Sequence, residues 1–474
     1  MDGLECSEIM LSEISVDNEK YRFDSEFFQK KYMSAYALIK GMNHTTVREE
    51  ISVLTDFHAN GSYESIAAVF ELLDTPDYAY MVRTTDLEKR DYVNDVKYVS
   101  KRTYEFLKKS KVYGGEVIIN KIGSPGRTFL MPFLNKPVSL GMNQFMLKMN
   151  SCGKIDNVFL YVYLNTFIGK VLIERKVNGT VPLTIDKEAI KSIYIPCFSK
   201  EFQSLISKII KSSNDFFSKS DELYRETVLL LEERLGFANF EEPNEVYSTK
   251  LISLSFLKSG RLDAEYYQLR YDRLFDILKK LNTRKLSEIV SIKKSIEPGS
   301  EYYGDVGVPF VRVSDLSKFE VSEPDIKIPK SLCVIDSSLF PEKDTILFSK
   351  DGSIGIAYKV EKDEEFVTSG ALLHLKVKNT DEILPDYLTL VLNSKIVQIQ
   401  AERDAGGSVI KHWKPDEIKN VVIPVLDIEL QKQISKQAQH CFKMRKAAKE
   451  LLNKAILIVE TAIENGEEEA MKLF

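Results

Sequence analysis

The chain has 474 residues, 44% of them hydrophobic and 28% charged, with a formal net charge of -5; that is room for two or three domains with full cores, in an ordinary globular composition. No run of eighteen uncharged apolar residues argues for a membrane span, and the acidic start Met1-Asp-Gly-Leu-Glu5 does not read as an export signal. The five cysteines (Cys6, Cys152, Cys197, Cys333, Cys441) are scattered, which speaks for a reducing cytoplasm and against a disulfide framework or a zinc knuckle.

In chain order, the first motif is Arg22-Phe-Asp-Ser-Glu-Phe-Phe-Gln, and it returns as Arg261-Leu-Asp-Ala-Glu-Tyr-Tyr-Gln. Val82-Arg-Thr-Thr-Asp-Leu87 returns as Val311-Arg-Val-Ser-Asp-Leu316, now at an offset of 229. The same offset carries Val117-Ile-Ile-Asn-Lys-Ile-Gly-Ser-Pro-Gly126 onto Ile346-Leu-Phe-Ser-Lys-Asp-Gly-Ser-Ile-Gly355 and Val138-Ser-Leu-Gly141 onto Val367-Thr-Ser-Gly370. Later pairs, among them Gly179-Thr180 with Gly407-Ser408 and Ile195-Pro196 with Ile423-Pro424, keep the order. Order and spacing together establish a tandem duplication of almost the whole chain.

Within a unit, the β-branched run ending at Asn120 and its copy ending at Ser349 read as strands entering a Gly-rich turn. Further strands are expected over 145–149 and 372–377, and short helices over 158–166 and 387–393. The fold class is α+β, with a mixed or antiparallel sheet. After Pro196 the period changes to that of a helix: Phe202, Leu205, Ile206, Ile209 and Ile210, then Tyr224, Val228, Leu231 and Leu235, stop at Gly236. In the second copy, Ile434, Cys441, Met444, Ala448, Leu451, Ala455, Ile458 and Ala462 recur in three- and four-residue steps with Gln437 off pattern. That spacing predicts a coiled-coil seam. Two such helices in one chain are expected to pair antiparallel about a pseudo-twofold and to act as a spacer between the units.

Charge is uneven. Residues 83–150 hold 13 Lys and Arg against 6 Asp and Glu, whereas residues 312–412 hold 13 against 17. The first unit therefore suits a polyanion and the second is not supported on charge alone. Catalytic signatures are missing: there is no Pro-Pro segment of the kind an adenine methyltransferase uses, no Walker phosphate loop, and no close acid-x-Lys nuclease arrangement. The histidines lie apart from one another and from cysteine ligand spacings. Gly123-Ser-Pro-Gly126 reads as a turn. Base edges are read by Arg, Lys, Asn and Gln, and phosphates are held by Lys, Arg, Ser and backbone N–H groups. Candidate DNA-binding residues are therefore Arg83, Asn120, Lys121, Ser124, Arg127 and Asn143 in the first unit, and Arg312, Ser349, Lys350, Ser353, Lys411, His412 and Trp413 in the second. Arg83 and Arg312 suit a structural salt bridge equally well.

The duplicated order of unit and long helix, with R-x-D-x-E-[FY]-[FY] openings and strand–Gly–Gly turns, resembles the specificity (S) subunit of Type I restriction–modification enzymes. The resemblance implies two pseudo-symmetric target-recognition domains, each reading one half of a split double-stranded DNA site, and an antiparallel pair of helices between them. On that resemblance the chain divides into an opening segment and helix (1–43), a first recognition domain (44–200), a central helix (201–239), a linker with the repeated opening helix (240–280), a second recognition domain (281–427) and a C-terminal helix (428–474). It also implies a non-catalytic subunit in the prokaryotic cytoplasm, docking two methyltransferase subunits and in some systems restriction subunits. S-adenosylmethionine, ATP and Mg would be bound by those partners and no cofactor by this chain. The competing reading is a duplicated protein-binding adaptor without direct DNA readout.

Overall fold

The computed structural model describes the chain except for residues 1–7, 16, 19, 93–95, 180, 244–246, 334–335 and 408–410. It divides into two units, Met1–Phe216 with Lys446–Phe474, and Phe217–Arg445. Thr180, Ser408 and Cys6 of the sequence comparison lie outside the described residues.

The first unit contains strands β1 (His44–Thr46), β2 (Ile51–Asp56), β3 (Ala79–Val82), β4 (Lys97–Val99), β5 (Lys111–Val112), β6 (Val117–Asn120), β7 (Thr128–Leu130), β8 (Val138–Leu140), β9 (Gln144–Met149) and β10 (Tyr194–Pro196). They form an antiparallel sheet in the order β2-β9-β6-β7, a second sheet β4-β3-β8-β5 in which β3 and β8 run parallel, and a two-stranded ribbon β1-β10. The second unit contains β11 (Thr283–Lys285), β12 (Val290–Lys294), β13 (Val308–Val311), β14 (Lys327–Ile328), β15 (Ile346–Ser349), β16 (Ala357–Lys359), β17 (Val367–Thr368), β18 (Leu372–Val377) and β19 (Val422–Pro424). Their orders are β12-β18-β15-β16, β14-β13-β17 with β13 and β17 parallel, and β11-β19. Strand for strand this repeats the first unit, with no counterpart of β5 among the described residues. The α+β expectation holds, and the duplication is as plain in topology as in sequence.

β6 and β15 are central strands buried on both faces, which is why Val117-Ile-Ile and Ile346-Leu-Phe run apolar without alternation. On each main sheet lies a helix, Asn157–Asn165 or Pro385–Leu392. Its buried tyrosine donates across to the ribbon: Tyr163 Oη to the Tyr194 carbonyl at 2.7 Å, and Tyr387 Oη to the Pro424 carbonyl at 2.8 Å. The repeated opening motif is a clamp. Arg22 grips Asp24 in a fork, and its Nη1 donates to the Val177 carbonyl at 2.9 Å; Arg261 does the same with Asp263 and the Asp404 carbonyl, at 3.3 Å.

The central helix (Lys200–Arg234) and the C-terminal helix (Ile428–Asn465) are each cut by the unit boundary. Within the first unit Ser213 Oγ donates to the Ala448 carbonyl at 2.7 Å, and Phe202, Ile206 and Ile210 share a core with Ala455, Ile458, Val459 and Ala462. Within the second, Ser220 Oγ donates to the Cys441 carbonyl at 3.0 Å, and Thr227 lies opposite Gln437 at 3.5 Å. As one number rises the other falls, so the pairing is antiparallel, as expected of two helices related by a pseudo-twofold. The polar middle of the central helix was not part of the apolar stripe, yet Ser213, Ser220 and Thr227 are buried seam residues.

Candidate nucleic-acid interface

Each unit brings one turn and one loop together at the same end of its main sheet. In the first, the turn after β6 reverses through Gly123 and Gly126, both at φ +88°, the left-handed region where a side chain is strained. Asn120 fastens it: its amide nitrogen donates to the Ser124 carbonyl at 3.0 Å, while its backbone N–H pairs with Arg127 O at 2.8 Å. In the second, Ser349 Oγ donates to the Ser353 carbonyl at 2.6 Å, and Gly352 and Gly355 take φ +71° and +78°. The backbone around Lys121 meets Asn143 O (2.8 Å), Leu183 O (3.2 Å, from Gly123 N) and Ile185 N (3.1 Å); around Lys350 it meets Ala371 O (2.9 Å), Lys411 O (2.9 Å, from Gly352 N) and Trp413 N (2.8 Å). Ala371, Lys411 and Trp413 thus stand where Asn143, Leu183 and Ile185 stand in the first unit.

The candidates divide by exposure. Ser124, Arg127 and Asn143, and on the second unit Ser353, Lys411 and His412, are exposed around the turn and loop. Asn120, Ser349 and Trp413 are corrections: their side chains are buried at 3%, 0% and 1% exposure, and they build the turn and loop from inside. Trp413 packs on Phe348, with ring centroids 5.7 Å apart. It replaces the buried Ile185, so the two units differ there by an apolar exchange. Arg83 and Arg312 cap the short helical turns after β3 and β13 through Asp86 and Asp315. Arg83 is held in a fork at 3.1 and 2.7 Å, and the Arg312 ion pair is looser at 3.8 Å. Of the two roles those arginines suited, the structure displays the salt bridge.

The remaining turn cations are also matched by carboxylates. Arg127 pairs with Glu88 at 2.7 Å, and Lys350 with Asp351, whose other oxygen lies 2.9 Å from His412 Nδ1. Lys121 pairs with Asp56 at 3.2 Å, and Lys187 with the same carboxylate at 2.8 Å. Burial opposes the charged form of Asp56, but the hydrogen bond and charge of Lys187, then those of Lys121, outweigh it and hold its carboxyl below the ordinary value. This cluster opens into a cleft of about 550 Å³ lined also by Lys20, Phe145 and Asp186. Sequence reading missed Asp56 and Lys187, since neither lies in a repeated motif. The arrangement presents the hydroxyls of Ser124 and Ser353 and partly neutralised cations, which suits contacts to a polar, charged surface.

The fold is therefore a duplicated α+β unit, each copy carrying its own turn-and-loop end and its own share of a helix pair. Residues 279–454 match the family described as Type I restriction modification DNA specificity domain. No curated protein sequence matches the chain. Among solved structures, it is similar to a Type I restriction-modification S subunit from M. genitalium (17% identity, 89% of this chain and 95% of that chain, TM-score 0.37). It is also similar to the HsdS subunit from Thermoanaerobacter tengcongensis (14%, 90% and 97%, 0.28). A third is a chain from a study of complex assembly in the type I R-M system (14%, 90% and 98%, 0.29). These superpositions are loose, and the family match covers the greater part of the second unit. Among the described residues no helix is long and apolar enough to cross a membrane.

Proposed function

We propose that the chain is the DNA-specificity subunit of a Type I restriction–modification complex, with each unit reading one half of a split double-stranded site through its turn-and-loop end. The observation that carries this is the family match over the second unit, together with the strand-for-strand repetition of that unit in the first. The reaction belongs to partners: two methyltransferase subunits that bind S-adenosylmethionine and methylate adenine N6, and in a restricting system subunits that use ATP and Mg. The setting is a prokaryotic cytoplasm.

The test is to sequence the methylomes of cells with this gene, without it, and with residues 45–195 exchanged for those of a relative. Loss of adenine methylation at one bipartite sequence on deletion is expected, and the exchange should alter one half of that sequence only. Unchanged methylation on deletion overturns the reading, and joint change of both halves overturns the independence of the units.

A further inference from the structure

The excess positive charge of the first unit does not sit at the turn, where Lys121 and Arg127 are each matched by a carboxylate. Part of it sits on the helix Lys101–Phe106 and the 3-10 turn Lys108–Ser110 that follows Leu107. Thr103, Tyr104, Leu107 and Ser110 face the core. Lys101, Arg102, Glu105, Lys108 and Lys109 are exposed, at spacings i, i+1, i+4, i+7 and i+8, the outer face of a helical stretch. The one acid in that stripe, Glu105, is taken by Lys111 at 3.1 Å. No carboxylate pairs with Lys101, Arg102, Lys108 or Lys109 among the described residues, and Lys101 lies over the Tyr78 ring at 5.6 Å.

The stripe is anchored beside the candidate interface. Asn60, in the turn Phe57–Asn60 that follows Asp56, accepts from Lys109 N at 2.7 Å and donates to Ser110 Oγ at 2.9 Å. The second unit has a corresponding stretch with less charge, in which Lys101 is kept as Lys330. At the offset of 229 that relates the units here, Arg102, Lys108 and Lys109 become Ser331, Ser337 and Ser338, and the turn Lys108–Ser110 becomes Ser337–Leu339.

We propose that Lys101, Arg102, Lys108 and Lys109 form a sequence-independent grip on the phosphate backbone of duplex DNA, built into the first unit and weakened in the second, where serines stand for three of the four. The proposal rests on the DNA-reading function and adds an asymmetry to it: the first half-site is held by this charge more than the second. Lys and Arg contacts to phosphate release counterions, so each one steepens the salt dependence of binding.

The experiment measures binding of the full-length chain to a labelled random-sequence duplex over a salt series, in wild type and in the variant R102S/K108S/K109S. The slope of log K against log salt should fall in magnitude by about 3, at about 0.9 per lost contact. The reciprocal variant S331R/S337K/S338K should gain a similar increment, which keeps the proposal testable should the serine variant fail to fold. An unchanged slope in both variants, with wild type still binding DNA, overturns the grip and leaves the DNA-reading function standing. No salt-dependent DNA binding by wild type overturns both. Loss of binding to polyglutamate with DNA binding intact makes the stripe a face for an acidic protein and also overturns the proposal.

Discussion

Trp413 and His374 are buried polar aromatics of the second unit, and each has a measurable signature. The Trp413 indole is 1% exposed and its Nε1 has no hydrogen-bond partner among the described residues, and it packs against Phe348 and its neighbours. W413F is expected to cost less than about 1 kcal/mol and W413A about 3–5 kcal/mol in urea unfolding, with DNA affinity of folded W413F unchanged. A large affinity loss in folded W413F would restore a contact role. His374 is pushed down to about 4, first by burial and then by the Lys293 charge, and its Nε2 sits 2.9 Å from Thr368 Oγ1. Its folded value lies below the unfolded value of about 6.5, so the unfolded chain binds the proton first. The stability held by the neutral ring is complete above about pH 6.5 and is lost as pH falls toward about 4. Between pH 6.5 and 5 this amounts to about 2 kcal/mol, and H374Q should remove that part of the pH dependence of unfolding. An identical pH profile in H374Q would show that other groups set it.

At the scale of elements, the helix pair is set by small residues. Ser220 Oγ donates to the Cys441 carbonyl, and Cys441 Sγ lies 3.3 Å from the Ser220 carbonyl, so the two backbones approach closely with no room for a larger side chain. S220L is expected to destabilise the second unit by about 2–4 kcal/mol, combining overpacking with a lost hydrogen bond, and S220A by about 1 kcal/mol. Chemical unfolding followed by circular dichroism measures both. Equal effects of the two substitutions would mean that the seam has slack. Beside this contact, Arg445 pairs with Asp221, and its guanidinium carbon stands 3.7 Å from the Phe319 ring centroid. Phe319 also meets Tyr224 edge-on at 4.9 Å. The loop after β13 thus packs on the helix segments of its own unit.

At the scale of the whole molecule, a reader of a split site must meet two stretches of one duplex, and helix length is the variable open to engineering. Four residues inserted beside Tyr224 add about 6 Å of helix, which corresponds to one or two base pairs at about 34 Å per turn of duplex. Methylation of a library of sites differing only in gap length is expected to show the preferred gap shifted by that amount. The register observed in the second unit, with Thr227 opposite Gln437, puts the compensating insertion beside Gln437. An active insertion variant with an unchanged gap preference would mean that the helices set no distance.

The duplication, the strand–turn–strand around Asn120 and Ser349, the short sheet-covering helices and the heptads of the C-terminal helix were all legible in sequence. Each is written in residues close along the chain, where a period of two or of three and four, or a repeated string, carries the signal. The parallel pairing of β3 with β8 had no such signal, because its partners are brought together only by the crossover between them. The polar seam at Ser213, Ser220 and Thr227 was hidden because hydroxyls satisfied across a helix pair look like solvent residues in a stripe read for apolarity. The site divides the same way. Turn chemistry placed Ser124, Arg127, Ser353 and Lys411 at the surface end, since Gly-rich reversals must project their residues. Whether a cation there is free or neutralised depended on Asp56 and Glu88, which lie far along the chain from Lys121 and Arg127. Trp413 went inside and the Lys101–Lys109 face stayed outside for one reason: burial is decided by what packs on a residue from elsewhere in the chain, and only the tertiary structure supplies that neighbour.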